Sequence, residues 1–295
     1  VSTLIKVFPD RRGMATGFAI MGYGGGAMVG APLAVWLMGN FSADGGKGVA
    51  ATLIVMGVIY FFAMMAGALG FRVPPNGWKP EGWEPSDSQK SNAMITQGHV
   101  HLNQAGKTRQ FWLIWGVLFL NVTAGIAVIS MASPMLQDVF GSALVGIENT
   151  GAAMTAAQKA AVVAAAAGLV GLISLFNSVG RLFWASLSDK IGRKNTYYTF
   201  FVLGILVYCL LPTWGHMGLA GMFVISICVI LSMYGGGFAT VPAYLADIFG
   251  TQMVGAIHGR LLTAWTAAGL VGPVIIALIR EAQLEAGIDP ALVYD

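Results

Sequence analysis

The sequence predicts an all-α fold, a polytopic membrane helix bundle with about seven transmembrane helices, on the basis of three observations. Of the 295 residues, 56% are hydrophobic and 10% are charged, whereas roughly 25% are charged in an ordinary soluble domain. The apolar residues gather in seven stretches, each near the roughly 20 residues that cross a bilayer. The alternating pattern of a membrane β-barrel is absent, so all seven stretches are expected to be helices.

The expected spans follow one another along the chain with one long interruption. They are residues 14–38, 49–71, 111–136, 160–186, 196–214, 217–245 and 254–279. The interruption, residues 72–110, contains four prolines and a stretch rich in Ser, Asn and Gln. Such a composition is typical of a flexible linker, here between two membrane halves.

Basic residues set the expected orientation, because Lys and Arg gather on the cytoplasmic side of membrane proteins. With the start of the first span in the cytoplasm, eleven basic residues fall on that side and three on the other. The eleven are Lys6, Arg11, Arg12, Arg72, Lys79, Lys90, Lys107, Arg109, Lys190, Arg193 and Lys194. The three are Lys47, Lys159 and Arg280. The linker at 72–110 is therefore expected to be cytoplasmic.

Several classes of function are disfavoured. A net charge of +3 over this length gives no case for a nucleic-acid partner. Cys209 and Cys228 lie in apolar runs without a disulfide framework or a metal-binding spacing, and we expect no metal and no other cofactor. No HExxH motif, GxSxG motif or pair of intramembrane carboxylates occurs, so we do not expect an enzyme.

Arg181 is the charged residue that lies well inside an expected span. A charge at mid-helix costs about 2.5–3.5 kcal/mol on insertion scales, so something should offset that cost. No acidic residue precedes Arg181 in the same span. Two interpretations remain open. Arg181 binds an anionic substrate in a pathway, or it lies two turns from Asp189 and snorkels to the cytoplasmic face.

Other polar side chains inside the spans could line a substrate site together, namely Asn121, Asn177 and Tyr234. Taken singly, each is better explained as an interhelical hydrogen bond. His258, near the start of the last span, either titrates with pH or is a satisfied interfacial histidine.

Four segments carry a resemblance to a known family. They are FPDRRGMATGFAIMGYGGGAMVGAP from Phe8, FWLIWGVLFLNVTAGIAVISMASPM from Phe111, GRLFWASLSDKIGRK from Gly180, and YGGGFATVPAYLADIFGTQMVGAIHGRLLTAW from Tyr234. Together they resemble the oxalate/formate antiporter family of the major facilitator superfamily, which is similar to the monocarboxylate transporters. The resemblance covers nearly the whole chain apart from the linker and the last residues.

The resemblance implies the major facilitator fold, a twelve-helix protein with two six-helix halves. On that template the seven spans are helices five to eleven, and the chain looks like a fragment. Residues 1–71 would then be the end of the N-terminal helical half. Residues 72–110 would be the central cytoplasmic linker, and residues 111–295 an incomplete C-terminal half.

The resemblance also implies substrate-binding residues. The family places a substrate-binding arginine in the eighth helix, where Arg181 falls. Its oxalate-specific members carry a lysine in the eleventh helix, where this chain has Trp265. With one cation found, a monocarboxylate such as formate, lactate or pyruvate against an aromatic wall fits better than oxalate. The expected substrate-binding residues are Arg181, Asn121, Tyr234, Trp265 and Asn177.

The loop SLSDKIGRK matches the motif that joins neighbouring helices in this superfamily, with Ala185 just before it where the family usually has glycine. Pseudo-symmetry places Asp189 near the start of the 14–38 helix, whose N-terminus carries partial positive charge. We expect a gate latch there that favours one access state. The expected gating residues are Asp189, Gly192, Arg193, Lys194, Arg11 and Arg12.

The function implied is secondary active transport of small organic anions by alternating access, as an antiporter or a proton symporter. The partners would be the anion, the bilayer of the cell inner (plasma) membrane, and protons or a counter-anion. Two alternatives stay open. One is a transporter of another solute class, such as sugars or drugs, although the scarcity of intramembrane acids disfavours drugs and cations. The other is a non-transporting receptor on the same fold.

Overall fold

The computed structural model describes residues 1–42, 48–75, 78, 80–84, 95–96, 98–147, 154–290 and 292–294. Within these ranges the secondary structure is helical, with no strand. The helices are α1 (Ser2–Val7), α2 (Arg12–Phe41), α3 (Val49–Gly70), α4 (Leu102–Ala105), α5 (Arg109–Leu144), α6 (Ala156–Ile191), α7 (Arg193–His216), α8 (Ala220–Phe249), α9 (Val254–Leu261) and α10 (Thr263–Glu285).

Seven helical segments are long and apolar enough to cross a membrane, which confirms the predicted bundle. Six of them are the single helices α2, α3, α5, α6, α7 and α8. The seventh, Val254–Glu285, combines α9 and α10. The single helix expected over 254–279 is therefore replaced by two, because the helix is interrupted at Leu262. The chain is a multi-pass membrane protein.

Local sequence signals set where α6 begins and ends. Thr155 forms a capping box with Gln158: its hydroxyl accepts the Gln158 N–H, and the Gln158 side chain accepts the Thr155 N–H. Gly192 separates α6 from α7 with a φ of 87°, a conformation that favours glycine because a Cβ would clash. This turn brings Asp189 near the end of α6 next to Arg193, the first residue of α7.

The central helix of the bundle is α8. It packs against α2, α5, α6, α7 and α9, and it is the most deeply buried of the spanning helices. Helix α2 also lies against α6, α10 lies against α5, and α3 packs chiefly against α2. Polar side chains on the facing sides of α2, α6 and α8 therefore contact protein rather than lipid. Arg181, Tyr23 and Tyr234, which are described below, lie on these helices.

The part of the 72–110 segment that the structure describes near its C-terminal end is docked on the bundle. Thr96 donates its N–H to the carbonyl oxygen of Asp247 at 2.7 Å, and Val100 donates to that of Phe249 at 2.9 Å. Thr96 and Val100 therefore differ from the predicted flexible linker. They are held in place because the carbonyl groups at the end of α8 accept their backbone hydrogen bonds. Three basic residues from the orientation argument lie outside the described residues: Lys47, Lys79 and Lys90.

Candidate functional site

A cavity of about 380 Å³ lies among α2, α6, α8, α9 and α10. Its volume falls near the lower end of the range for small-molecule pockets, roughly 300–1,000 Å³. Apolar walls come from side chains such as Ala19, Ile20 and Leu262. The side chains that bring polar or aromatic chemistry are Tyr23, Arg181, Tyr234, Phe238, His258 and Trp265.

Arg181 is fixed in the wall of this cavity and is 6% exposed. Its Nε donates to Asn177 Oδ1 at 3.0 Å, one turn earlier on α6, and its Nη1 donates to the carbonyl oxygen of Ile20 on α2 at 2.9 Å. Its Cζ lies 5.5 Å from the ring centroid of Tyr23 and 5.7 Å from that of Phe238. Nη2 takes part in neither hydrogen bond. The snorkelling interpretation does not fit an arginine buried among three helices.

The electrostatics of the cavity follow from the partners of Arg181. These are a neutral amide, a backbone carbonyl and two aromatic faces, which offer partial negative charge and no formal charge. No carboxylate belongs to the described residues that line the cavity. Within the described lining the guanidinium therefore has no counter-charge, and low-dielectric walls concentrate its field within the cavity. The arrangement favours a small anion over a cation.

Two aromatic residues of the wall meet between α8 and α10. Trp265 Nε1 donates to the Tyr234 hydroxyl at 3.4 Å, a long hydrogen bond. The Tyr234 ring packs on the backbone of α5 at Gly125, where a Cβ would lie 2.6 Å from Tyr234 Cγ. Glycine at this position therefore lets α5 approach α8 without displacing the tyrosine.

The predicted substrate-binding residues occupy three kinds of position relative to the cavity. Asn177 contacts Arg181 and so positions its guanidinium. Asn121 packs against Gly237 of α8, and its buried Oδ1 has no hydrogen-bond partner among the described residues. Asn121 is therefore separate from the wall that the structure describes. Three predicted residues line the cavity together: Arg181, Tyr234 and Trp265.

Among the polar and aromatic lining residues, sequence reasoning misses three: Tyr23, Phe238 and His258. A signal exists for the first two, because each adjoins a glycine run inside a span, in GYGGG and GGGF. Glycine runs mark places where helices approach closely, so an aromatic side chain beside them meets another helix. For His258, nothing in the sequence shows that it shares a cavity with Arg181.

Four charged residues form a second feature, which we call the ion-pair cluster: Arg12, Asp189, Arg193 and Asp247. Asp189 follows Arg181 along α6 by about 12 Å at 1.5 Å per residue. Its two carboxylate oxygens accept the backbone N–H groups of Gly13 and Met14 at the start of α2, at 2.9 and 2.8 Å. The carboxylate thus lies against the positive end of the α2 dipole, at the predicted position.

Asp247 completes the ion-pair cluster, and sequence analysis misses it. Its carboxylate pairs with Arg12 at 2.9 Å and with Arg193 at 3.1 Å, while Arg193 also pairs with Asp189 at 2.6 Å. A signal exists in the sequence, because Asp247 lies near the C-terminus of α8, where the helix dipole disfavours a carboxylate. Two arginines and two aspartates from α2, α6, α7 and α8 neutralise one another here.

The other predicted gating residues lie around the ion-pair cluster. Gly192 makes the turn between α6 and α7. Lys194 lies with its Nζ 5.6 Å from the ring centroid of Tyr198, and Arg11 lies on the surface 3.4 Å from Asp10. Among the contacts of the described residues, neither Lys194 nor Arg11 pairs with the aspartates of the cluster.

A third polar group, the α5–α10 cluster, consists of Asp138, Arg280 and Tyr294. Arg280 donates from Nη2 to Asp138 at 2.9 Å and from Nε to the Tyr294 hydroxyl at 2.8 Å. Tyr294 in turn donates to Asp138 at 2.8 Å. Burial, with this hydrogen bond to Asp138, raises the pKa of Tyr294 to about 12. This cluster ties the segment after α10 to α5 and α10.

Fold and cavity together define a multi-pass helical membrane protein with a cationic cavity between its helices. The family model of the Major Facilitator Superfamily matches residues 1–276. The chain therefore belongs to the Major Facilitator Superfamily.

Individual relatives agree with the predicted resemblance. The chain is 27% identical over 272 residues to the oxalate:formate antiporter of Oxalobacter formigenes, covering 92% of this chain and 56% of that protein. It is 25% identical over 308 residues to apicoplast pyruvate carrier 1 of Toxoplasma gondii, covering 89% and 53%. It is 23% identical over 260 residues to the uncharacterized MFS-type transporter YhjX of Escherichia coli (strain K12), covering 88% and 55%. The chain spans about half the length of these relatives, and the similarity to an oxalate/formate antiporter is confirmed.

Proposed function

We propose that the full-length protein is a secondary active transporter of small organic anions, with monocarboxylates as its preferred substrates, and that it works by alternating access. The observation that supports this most is the buried Arg181, held in a cavity whose described lining contains no carboxylate. A buried cation is costly in a membrane protein unless a ligand or partner offsets it. A substrate carboxylate would supply the missing negative charge.

The chemistry of the wall supports a small carboxylate with one charge. A guanidinium binds a carboxylate through two parallel N–H donors or through one, and Nη2 of Arg181 is not used by its two protein hydrogen bonds. The aromatic side chains of Tyr23, Phe238 and Trp265 can contact the apolar remainder of such a molecule. One relative is named for oxalate and formate and another for pyruvate, which are all small carboxylates.

A monocarboxylate is favoured over oxalate because Arg181 is the one permanently charged side chain among the described lining residues. A dianion would bring two negative charges to a single guanidinium. Trp265 occupies the position where a lysine is expected in oxalate-specific members. Its indole can pack on a methyl or methylene group but adds no positive charge.

The ion-pair cluster supports a role in gating. In our proposal residues 1–71 belong to the N-terminal half, residues 111–295 to the C-terminal half, and residues 72–110 to the cytoplasmic linker. The cluster then joins α2 of one half to α6, α7 and α8 of the other, on the cytoplasmic side of the plasma membrane. Opening that side would require Asp189 to leave the start of α2.

The test is counterflow of labelled formate, lactate, pyruvate and oxalate in proteoliposomes that contain the full-length protein. We expect exchange of the monocarboxylates, with oxalate weaker, and no uptake of a labelled sugar. An imposed pH gradient would drive net uptake by a proton symporter and would leave an antiporter dependent on internal anion. Exchange of sugars alone, or no exchange of any solute by protein that is correctly folded, would contradict the proposal.

A further inference from the structure

His258 of α9 is a titratable side chain that lines the same cavity as Arg181. Its Nε2 is buried and has no hydrogen-bond partner among the described residues. Buried polar atoms in proteins are nearly always hydrogen-bonded, so an unpartnered one in a cavity wall needs an explanation. A ligand in the cavity would provide the partner.

Both basic groups lie near the ring of Phe238. Arg181 Cζ is 5.7 Å from the centroid of the Phe238 ring, and the His258 ring centroid is 6.3 Å from the same point. Because both distances end on one centroid, the guanidinium and the imidazole are separated by no more than their sum, about 12 Å. A two- or three-carbon acid with a hydrogen bond of roughly 2.9 Å at each end can bridge groups at such a distance.

The surroundings of His258 make its charge depend on the ligand. The charged and titratable side chains that line the cavity with it, among the described residues, are Arg181 of α6, Tyr23 of α2 and Tyr234 of α8. Arg260 of α9 is turned to α4, where it donates to the Leu102 carbonyl and to Asn103 Oδ1. None of these groups is a carboxylate. A buried imidazolium here would lack a counter-charge among the described lining residues, and a bound anion would supply one.

We propose that His258 is a second anion-recognition residue of this cavity: its Nε2–H donates to the end of the substrate that Arg181 does not hold. When that end is a second carboxylate, the imidazole takes up one proton from solution on binding, and no other bond forms or breaks. The cavity then presents one positive charge to a monocarboxylate and two to a dicarboxylate. This inference rests on the proposed transport of small carboxylates and names the residue that sets the choice among them.

The experiment uses the purified full-length protein, with labelled pyruvate counterflow as the readout and unlabelled oxalate as the competitor, between about pH 5 and pH 8, where histidine changes charge. The variants are His258→Gln and, as a matched control, His99→Gln in the exposed segment before α4. In the wild type and the control, we expect the affinity for oxalate to rise towards acid pH by up to about tenfold per pH unit, the limit for one coupled proton. In His258→Gln the affinity for oxalate, measured against the pyruvate counterflow of that variant, should be independent of pH across this range.

A second measurement needs no variant. Addition of oxalate to the wild-type protein in weak buffer should take up protons, seen with an indicator dye, and addition of pyruvate should take up fewer. No proton uptake on oxalate binding, or the same pH profile for oxalate in wild type and His258→Gln, would overturn the role of His258. In that case pyruvate counterflow by the wild-type protein would still support the proposed function. No counterflow of any carboxylate by the wild type would overturn both.

Discussion

The cavity contains one buried arginine, Arg181, whereas the ion-pair cluster contains two partly exposed ones, Arg12 and Arg193. Among the described residues, carboxylates pair with the arginines of the cluster and not with Arg181. In the cluster, two arginines meet two aspartates at distances of 2.6 to 3.1 Å. In the cavity, Arg181 meets an amide, a carbonyl and aromatic faces. The first region is neutral within the protein, whereas the second keeps its charge.

This difference suits the two regions to different functions, namely reversible contact between helices and binding of an anion. A neutral, fully paired cluster can hold helices together and release them, because its charges need no outside partner. A fixed but uncompensated guanidinium gains from an incoming anion, because desolvated charges interact strongly at low dielectric. On this basis we propose substrate binding for Arg181 and control of access for Asp189, Arg193 and their partners.

The largest expected effect is the loss of transport when Arg181 of the cavity is replaced. Arg181→Gln should lower counterflow of monocarboxylates by about 10- to 150-fold, since a hydrogen bond to a charged group contributes about 1.5–3 kcal/mol. Arg181→Lys should recover only part of this loss, because an ammonium group lacks the planar pair of donors. Rates are compared at matched protein levels in the membrane, with Lys194→Gln as the control. Counterflow at the wild-type rate in Arg181→Gln would show that Arg181 does not bind the substrate.

The next largest effect is expected when the ion-pair cluster loses a charge. Asp189→Asn removes a charge that accepts two N–H groups of α2 and pairs with Arg193. We expect the balance between access states to shift by about 5- to 150-fold, equivalent to about 1–3 kcal/mol. Crosslinking of cysteine pairs placed on α2 and α6 measures the populations. Asp10→Asn is the control, because Asp10 contacts the exposed Arg11. Unchanged populations in Asp189→Asn would argue against a latch.

A smaller effect is expected where the aromatic wall is supported. Gly125→Ala would push the Tyr234 ring from its position, because the added Cβ would lie 2.6 Å from Tyr234 Cγ. Overpacking a well-filled site costs about 1–3 kcal/mol. We expect about fivefold weaker substrate affinity in a competition assay, which corresponds to the lower end of that range. Gly116→Ala on the same helix is matched, since no heavy atom lies within 4 Å of its Cβ. Equal affinities in the two variants would show that Tyr234 does not shape the site.

The smallest effect on transport is expected at the α5–α10 cluster, which stands outside the comparison. Tyr294→Phe should leave transport within about twofold but lower thermal stability, because a partly buried hydrogen bond to Asp138 is lost. The pKa of Tyr294 is raised from 10.0 to about 12 in the folded protein, so its contribution is complete below pH 10. The difference in Tm between wild type and Tyr294→Phe should then shrink as the pH rises from 10 to 12. A difference that disappears near neutral pH would contradict this.

Features that depend on local sequence could be predicted. The seven spans follow from apolar runs, and the depth of Arg181 follows from its distance to the polar ends of its span. The position of Asp189 at the start of α2 follows from a motif and from pseudo-symmetry. The first two rest on a pattern within a single stretch of sequence, and the third also needs the symmetry that the family resemblance implies.

Features that depend on which helix faces meet could not be predicted. Asp247 and Arg12 are separated by 235 residues and meet only because α2 packs on α8. His258 shares the cavity of Arg181 because α9 packs against α8, where the His258 ring lies near Phe238. Asn121 looks equivalent to Asn177 in the sequence, yet it faces Gly237 rather than the guanidinium. Polarity inside a span shows that a partner is needed, but not which partner.

The central claim is that the uncompensated charge of Arg181 holds the anion, and supplying a carboxylate inside the cavity tests it most directly. Phe238→Glu would place a negative charge beside the guanidinium, whose Cζ is 5.7 Å from the Phe238 ring centroid. Phe238→Gln has nearly the same shape without that charge. Pyruvate affinity of the full-length protein should fall by at least about tenfold in the glutamate variant relative to the glutamine variant, which corresponds to 1.4 kcal/mol. Equal pyruvate affinities in these two variants would contradict the claim.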